Sequence, residues 1–286
     1  MATASSMRRQ SSTTVALSIM LVFTGAACTN EASTEPGDTA GDAGTPSALG
    51  DGLRIAQLNT PDASTRPGND QLNVYVSGAT FVYKDNYNET NTASSIGSIY
   101  MQDFHPNTAD AGPSPPYSGI LLYKTTFEPA SLVLSPGDVV DLTGEYQLYA
   151  GPSSHPFGSA VQPEMASSVV VPRFDYGPPV PTVIDVNDLQ SYATGYKWMS
   201  MLVTVTSTVG GGIDPDGAGR CGVFLTSATG SNDVTMDNEL YNMPCQANDP
   251  TYGTVGGVHF ASVTGIVTYF SNFHISPRSA ADVVLE

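Results

Sequence analysis

Few side chains in this sequence stand in arrangements that can do chemistry, and the 3 cysteines come first. Cys28 directly follows an apolar run, whereas Cys221 and Cys245 lie deep in the strand-rich part of the chain. Neither of the latter two has another Cys or a His at the short spacing of a zinc site. In an oxidising compartment they are expected to join as a disulfide, worth roughly 3 kcal/mol through the loop it closes. Two buried free thiols are the alternative. The 4 histidines, His105, His155, His259 and His274, are not spaced with one another for metal binding and read as structural or surface groups. Asp214 and Asp216 precede a glycine turn within the stretch Gly210 to Gly219, as in calcium loops, although the later ligands of an EF-hand are missing. Backbone carbonyls could complete a Ca²⁺ shell there, or the stretch is an ordinary acidic turn between two strands. No other cofactor is indicated. Nucleophile elbows, zinc-protease helices and phosphate-binding glycine loops are absent, so the chain is expected not to be an enzyme.

The elements that would position these residues begin with an export signal. Arg8 and Arg9 precede an uncharged, largely apolar run from Val15 to Ala27. That run is shorter than the roughly 20 residues of a membrane-spanning helix, so residues 1–27 read as a signal peptide. The segment Thr24-Gly25-Ala26-Ala27-Cys28 resembles the bacterial lipobox, in which the Cys behind the cleaved bond is acylated; Gly25 stands where that motif usually has an aliphatic residue. The resemblance implies a lipoprotein held to a membrane through Cys28 in the cell envelope, with the outer membrane as its expected place. Ordinary cleavage after Ala27 and release as a secreted protein is the alternative. Residues 28–52, rich in Thr, Ala, Gly, Ser, Asp and Glu, lack the apolar surface to fold and are expected to form a flexible tether.

Past the tether, short apolar segments alternate with Gly and Pro breakers, and helical spacing of three and four is nearly absent. The one expected helix runs from Asp185 to about Tyr192, capped by Asp185. The chain also repeats itself. Leu142-Thr143-Gly144-Glu145-Tyr146-Gln147-Leu148-Tyr149 aligns with Val263-Thr264-Gly265-Ile266-Val267-Thr268-Tyr269-Phe270. Upstream, Asn73 to Tyr83 matches Met201 to Val209, and Ser98-Ile99-Tyr100-Met101 matches Gly222-Val223-Phe224-Leu225. The proline cluster Pro178-Pro179-Val180-Pro181 separates the halves, giving expected domains at 53–177 and 178–286.

Four features in this order carry a family likeness. They are the strand Ser98 to Asp103, the turn and strand Ser135-Pro136-Gly137-Asp138 through Gly144, the linker Pro179-Val180-Pro181, and the closing segment Ile275 to Val283. Together they resemble the OB-fold-like accessory domains of bacterial secreted nucleases and related envelope proteins. The fold the resemblance implies is all-β, two tandem OB-like Greek-key β-barrels behind the signal peptide and tether; a single large β-sandwich is the rival. It also implies a binding module, since OB folds use strands two and three with their flanking loops to hold single-stranded nucleic acid or oligosaccharide. If Ile99, Met101, Ile120 and Leu122 face the core, period two places Tyr100, Gln102 and Tyr123 on the outer face as a ligand platform. Tyrosines packed under neighbouring loops are the plainer reading.

Charge narrows the ligand. Only 10 Lys and Arg stand against 27 Asp and Glu, a net charge of −17, and loss of Arg8 and Arg9 with the leader makes the remainder more acidic still. Phosphate backbones are held mainly by Lys and Arg, so a glycan, peptide or protein is expected in place of nucleic acid. A purely structural or adhesive role at the cell surface is the competing class, and an accessory to an extracellular nuclease is the reading the family likeness alone would favour.

Overall fold

The computed structural model describes residues 49–87, 97–106, 113–153, 156–217, 220–227, 234–243 and 257–286. The chain divides by its contacts into Met1–Ala43 and Gly44–Glu286, and every described residue belongs to the second unit. Cys28, the signal peptide and most of the tether therefore lie outside the described residues. No described helix is long and apolar enough to cross a membrane.

The described chain starts with α1 (Ile55–Asn59) and continues through β1 (Gln71–Lys84), β2 (Ile99–Asp103), β3 (Gly119–Tyr123), β4 (Thr126–Phe127), β5 (Asp138–Tyr149) and β6 (Gln162–Asp175). After the proline linker come β7 (Thr182–Val183), α2 (Tyr192–Gly195), β8 (Leu202–Gly217), β9 (Arg220–Thr226), β10 (Val234–Asp237), β11 (His259–Phe270), β12 (Asn272–Ser276) and β13 (Val283–Leu285). In the first half β1 pairs antiparallel with β2 and β5, β2 with β3, and β5 with β6, and a parallel β3–β6 pairing closes the ring. In the second half β8, β9, β10, β12 and β11 close in the same way, with the parallel pairing between β10 and β12. The result is two closed five-stranded barrels with OB-like connection, and the fold is all-β. The three aligned segment pairs fall on equivalent strands: β1 with β8, β2 with β9, β5 with β11.

Each barrel fills with the inward side chains of its strands and is plugged by a helical segment preceding its first strand. In barrel 1 α1 inserts Ile55 and Leu58 into the cluster built by Val76, Met101, Ile120, Leu122, Leu142 and Met165. The free N–H groups of Ile55 and Ala56 at its start donate to the Asp103 carboxylate at 2.7 and 2.8 Å, which satisfies donors a helix cannot pair internally. In barrel 2 the plug places Leu189, Tyr196 and Trp198 against Val203, Val263 and Phe273. The single helix expected from Asp185 is instead broken: Asp185 caps a 3₁₀ turn at Val186–Leu189, and Ser191 then caps α2 anew. Two closely spaced side-chain caps restart the helix where one continuous run was expected.

Packing also begins before Gly52, the expected end of the tether. A Cβ on Gly50 would come within 2.8 Å of the Tyr75 hydroxyl oxygen, and Leu53 then bridges to Val76. The Pro136-Gly137-Asp138 turn into β5 forms as its residues dictate. Gly137 has φ +108, a region that favours glycine, and the Asp138 carboxylate accepts from Ser135 N–H at 2.6 Å.

A third apolar cluster joins the barrels. Val82, Tyr100 and Leu121 from barrel 1 pack with Leu202, Leu240 and Ile266 from barrel 2. Gly119 permits this approach, because a Cβ there would lie 2.6 Å from the Met201 backbone nitrogen and closer still to the Met199 carbonyl oxygen. Hydrogen bonds reinforce the seam: Tyr117 N–H donates to Lys197 carbonyl at 2.7 Å, Arg66 to Tyr196 Oη at 3.1 Å, and Tyr192 Oη to Val161 carbonyl at 2.7 Å.

Candidate functional site

Period two alone explains what reaches the seam. Ile99, Met101, Ile120 and Leu122 do face the barrel-1 core, so Tyr100, Gln102, Leu121 and Tyr123 face out. That outer face is not open to solvent, however. Tyr100 is 1 % exposed and Gln102 is fully buried, because barrel 2 lies across them. The open platform of Tyr100, Gln102 and Tyr123 expected from the sequence is corrected accordingly. Gln102 is a joint between barrels, its Oε1 accepting from Leu202 N–H at 3.0 Å.

Where the barrels part, the same face opens into a cleft of about 470 Å³, within the range of small-molecule sites. Barrel 1 supplies Tyr100, Leu121 and Tyr123 from β2 and β3, Tyr149 from the end of β5, Phe157 from the loop that follows, and Glu164 from β6. Barrel 2 supplies Glu239, Thr268, Tyr269 and Phe270. In OB terms these are the faces of strands two and three and the loop between strands four and five of barrel 1, roofed by the end of the fourth strand of barrel 2. Tyr149 and Phe270, which occupy matching places in the sequence repeat, both line it.

The aromatic wall is a chain of edge contacts: Phe157 meets Tyr149 at 5.8 Å, Tyr269 at 5.2 Å and Phe270 at 6.1 Å between centroids. Edge-to-face rings of this kind hold one another in place. Tyr123 and Tyr149 form the accessible mouth, 49 % and 38 % exposed. Lys124 Nζ stands 5.0 Å over the Tyr123 ring.

Two carboxylates face this wall. Glu164 sits opposite Leu121 on β3 and Gln147 on β5, and is 7 % exposed. Among the described residues nothing hydrogen-bonds or ion-pairs with its carboxylate, and burial alone raises its pKa from 4.5 to about 7. Burying an unpaired carboxylate is costly, and such groups concentrate at functional sites. Glu239 accepts from Tyr100 Oη at 3.4 Å. Burial first, and then the Glu239 charge, pushes the Tyr100 hydroxyl well above its ordinary pKa, so it stays a donor. Tyr149 and Tyr269 are raised by burial too.

The sequence reading missed Glu164, Glu239, Tyr149, Phe157, Tyr269 and Phe270. An available signal was the aromatic ending of both repeat segments, Leu148-Tyr149 and Tyr269-Phe270. Glu164 carried another, an acid near the start of a strand whose next residues are Met165 and Ala166.

The remaining candidates lie elsewhere. Asp214 and Asp216 fall on β8, which runs on to Gly217 and pairs Gly217 with Arg220; their side chains lie outside the described set. No group of three or more metal-ligating side chains gathers among the described residues. Cys221 is the second residue of β9, with its N–H donating to Asn238 Oδ1 at 3.0 Å, and Cys245 lies outside the described residues. His274 is held structurally, Nδ1 at 2.7 Å from Asp237 and Nε2 at 2.9 Å from Asn272, and His259 stands 3.7 Å from Glu286.

These features define a two-barrel OB-like protein with an aromatic, acidic cleft at the barrel junction. Comparison with protein-family models and with curated proteins finds no match to this chain.

Proposed function

We propose that this protein is a non-enzymatic binding module of the cell envelope, anchored through a lipidated Cys28, that holds a glycan in the cleft between its barrels. The single observation that carries the ligand class is the tyrosine-walled cleft with its inward carboxylates. Sugar rings offer apolar C–H faces to stack on tyrosine and hydroxyl donors to satisfy carboxylates. Among the described residues the cleft lining contains no Lys or Arg, and the chain is strongly acidic, so phosphate backbones would be repelled. What supports the anchor is the Arg8-Arg9 start, the apolar run and the Gly25-Ala26-Ala27-Cys28 sequence. The Cys221–Cys245 bridge belongs to the same reading, supported by the even pair of cysteines that remains once Cys28 is assigned to the anchor.

Isothermal titration of the purified protein against neutral hexose and N-acetylhexosamine tetramers tests the ligand class. Saturable binding should weaken roughly tenfold in Tyr149→Ala and in Tyr123→Ala, as loss of a stacking ring does. Binding that ignores both substitutions, or tetrapeptides binding where no tetrasaccharide does, would remove the glycan reading. Intact mass of the envelope fraction, with and without reduction, tests the anchor and the bridge together.

A further inference from the structure

The glycan reading leaves open which sugar the acidic end of the cleft prefers. Glu164 is more than nine-tenths buried, lines the cleft, and has no partner among the described residues. Its flanking strand neighbours are Leu121 and Gln147, neither of which neutralises a carboxylate. Among the described residues the ionisable groups lining the cleft with it are Tyr100, Tyr123 and Tyr149 on barrel 1 and Glu239 and Tyr269 across the cleft. Every one of these is neutral or acidic at neutral pH. Lys124, over the outer ring of Tyr123, is outside the lining. A buried carboxylate without a partner, in a wall whose described residues include no Lys or Arg, is stabilised most by a ligand that brings positive charge.

Resting on the glycan reading, we propose that the cleft selects an amino sugar: a glucosamine-type residue whose ring stacks on Tyr123 and Tyr149 and whose ammonium is received by Glu164. An ammonium answers the site directly: it gives the unpaired carboxylate a charge-assisted hydrogen bond. The aromatic faces add cation–π attraction where the ring cannot reach. Neutral sugars would stack equally well but supply only a hydroxyl donor. Uronic acids and phosphosugars would be rejected outright.

The same pairing couples binding to protons. Near pH 7 Glu164 is about half protonated in the free protein. An ammonium ligand favours the ionised form, so binding below pH 7 must expel a proton from Glu164.

Titration calorimetry with the full chain and two probes, the glucosamine tetramer and the N-acetylglucosamine tetramer, tests this. The glucosamine tetramer should bind roughly ten- to a hundredfold tighter, the range expected of one hydrogen bond to a charged group. In Glu164→Gln that preference should vanish, the glucosamine tetramer losing the larger share of its affinity, and a cooperative thermal melt recorded beside it shows that the variant folds. Repeating the wild-type titration below pH 7 in buffers of different ionisation enthalpy should show proton release, absent in Glu164→Gln. Equal affinities for the two probes, or a preference that survives Glu164→Gln, would overturn the amino-sugar assignment while leaving the glycan reading in place. Failure of both tetramers to bind would overturn the two together.

Discussion

Barrels 1 and 2 share their connection, their helical plug and three aligned strand segments, yet they use the same surface differently. In barrel 1 the outer face of β2 and β3 is buried: Tyr100 packs in the seam with Leu202, Leu240 and Ile266. The matching residue on β9 of barrel 2, Phe224, remains half-buried. One barrel thus gives most of its ligand face to its neighbour and keeps a cleft; the other becomes the roof. The difference teaches that tandem repetition of a binding fold need not double the binding sites. It can build one site between copies, here with Tyr149 and Phe270 contributed from matching places.

The outer faces of the barrels differ in polarity as well. Barrel 1 carries a buried carboxylate, Asp141, accepting from Tyr75 Oη and Ser77 Oγ at 2.8 Å each and from Gly78 N–H at 3.1 Å, with Arg173 at 3.2 Å. Its counterpart one residue before the aligned β11 segment is Ser262. The bulge in β1 between Ser77 and Ala79 serves this network, and Gly78 adopts φ +73 beside it.

The largest expected effect breaks the seam. Leu202→Ala removes a fully buried side chain shared by both barrels and should cost about 2–5 kcal/mol. Chemical denaturation should then lose its single transition and resolve into two; a single sharp transition after the substitution would mean the barrels cohere without this cluster.

Glu164→Gln sharpens the contrast between ligand face and scaffold. The native pKa of Glu164 is raised to about 7 from 4.5, so the folded state holds the extra proton between those values. Its burden on stability is therefore fully present above pH 7 and disappears as pH falls below about 4.5. The substitution should raise stability by roughly 1–3 kcal/mol near pH 8, because a tenfold change in proton affinity on folding corresponds to about 1.4 kcal/mol. Near pH 4 it should change stability little. Thermal melts across that range check it; a destabilised variant at pH 8 would show that Glu164 has a stabilising partner.

The plugs give the smaller effects. Asp103→Asn weakens the two charge-assisted bonds that start α1 and should cost about 1–2 kcal/mol. Asp185→Ala removes the cap of the 3₁₀ turn before β8, where Asn187 N–H donates at 2.9 Å, and should cost about 1 kcal/mol. Hydrogen exchange should then rise at Ile55 to Asn59 in the first variant and at Val186 to Leu189 in the second.

Much of the fold was legible because strand period, Gly and Pro punctuation and the repeated Val-Thr-Gly pattern are local properties. Period two sorted Ile99 and Met101 from Tyr100 and Gln102 correctly. It could not reveal that the outer side is covered, since burial by a second barrel depends on contacts about a hundred residues away, such as Gln102 with Leu202. For the same reason Glu164 passed as an ordinary strand residue. Its importance comes from what surrounds it and from the missing partner. The plug α1 was too short for periodicity to show, and its start is satisfied by Asp103 from a distant strand.

The central claim is that one ligand site lies between the barrels. Chemical-shift mapping of the isotopically labelled protein, titrated with the glucosamine tetramer, tests it most directly. The account predicts perturbations at Leu121 to Tyr123, at Tyr149, Phe157 and Glu164, and simultaneously at Thr268 to Phe270 across the seam. Perturbations confined to the β9 and β10 face around Phe224, with the junction unmoved, would contradict it.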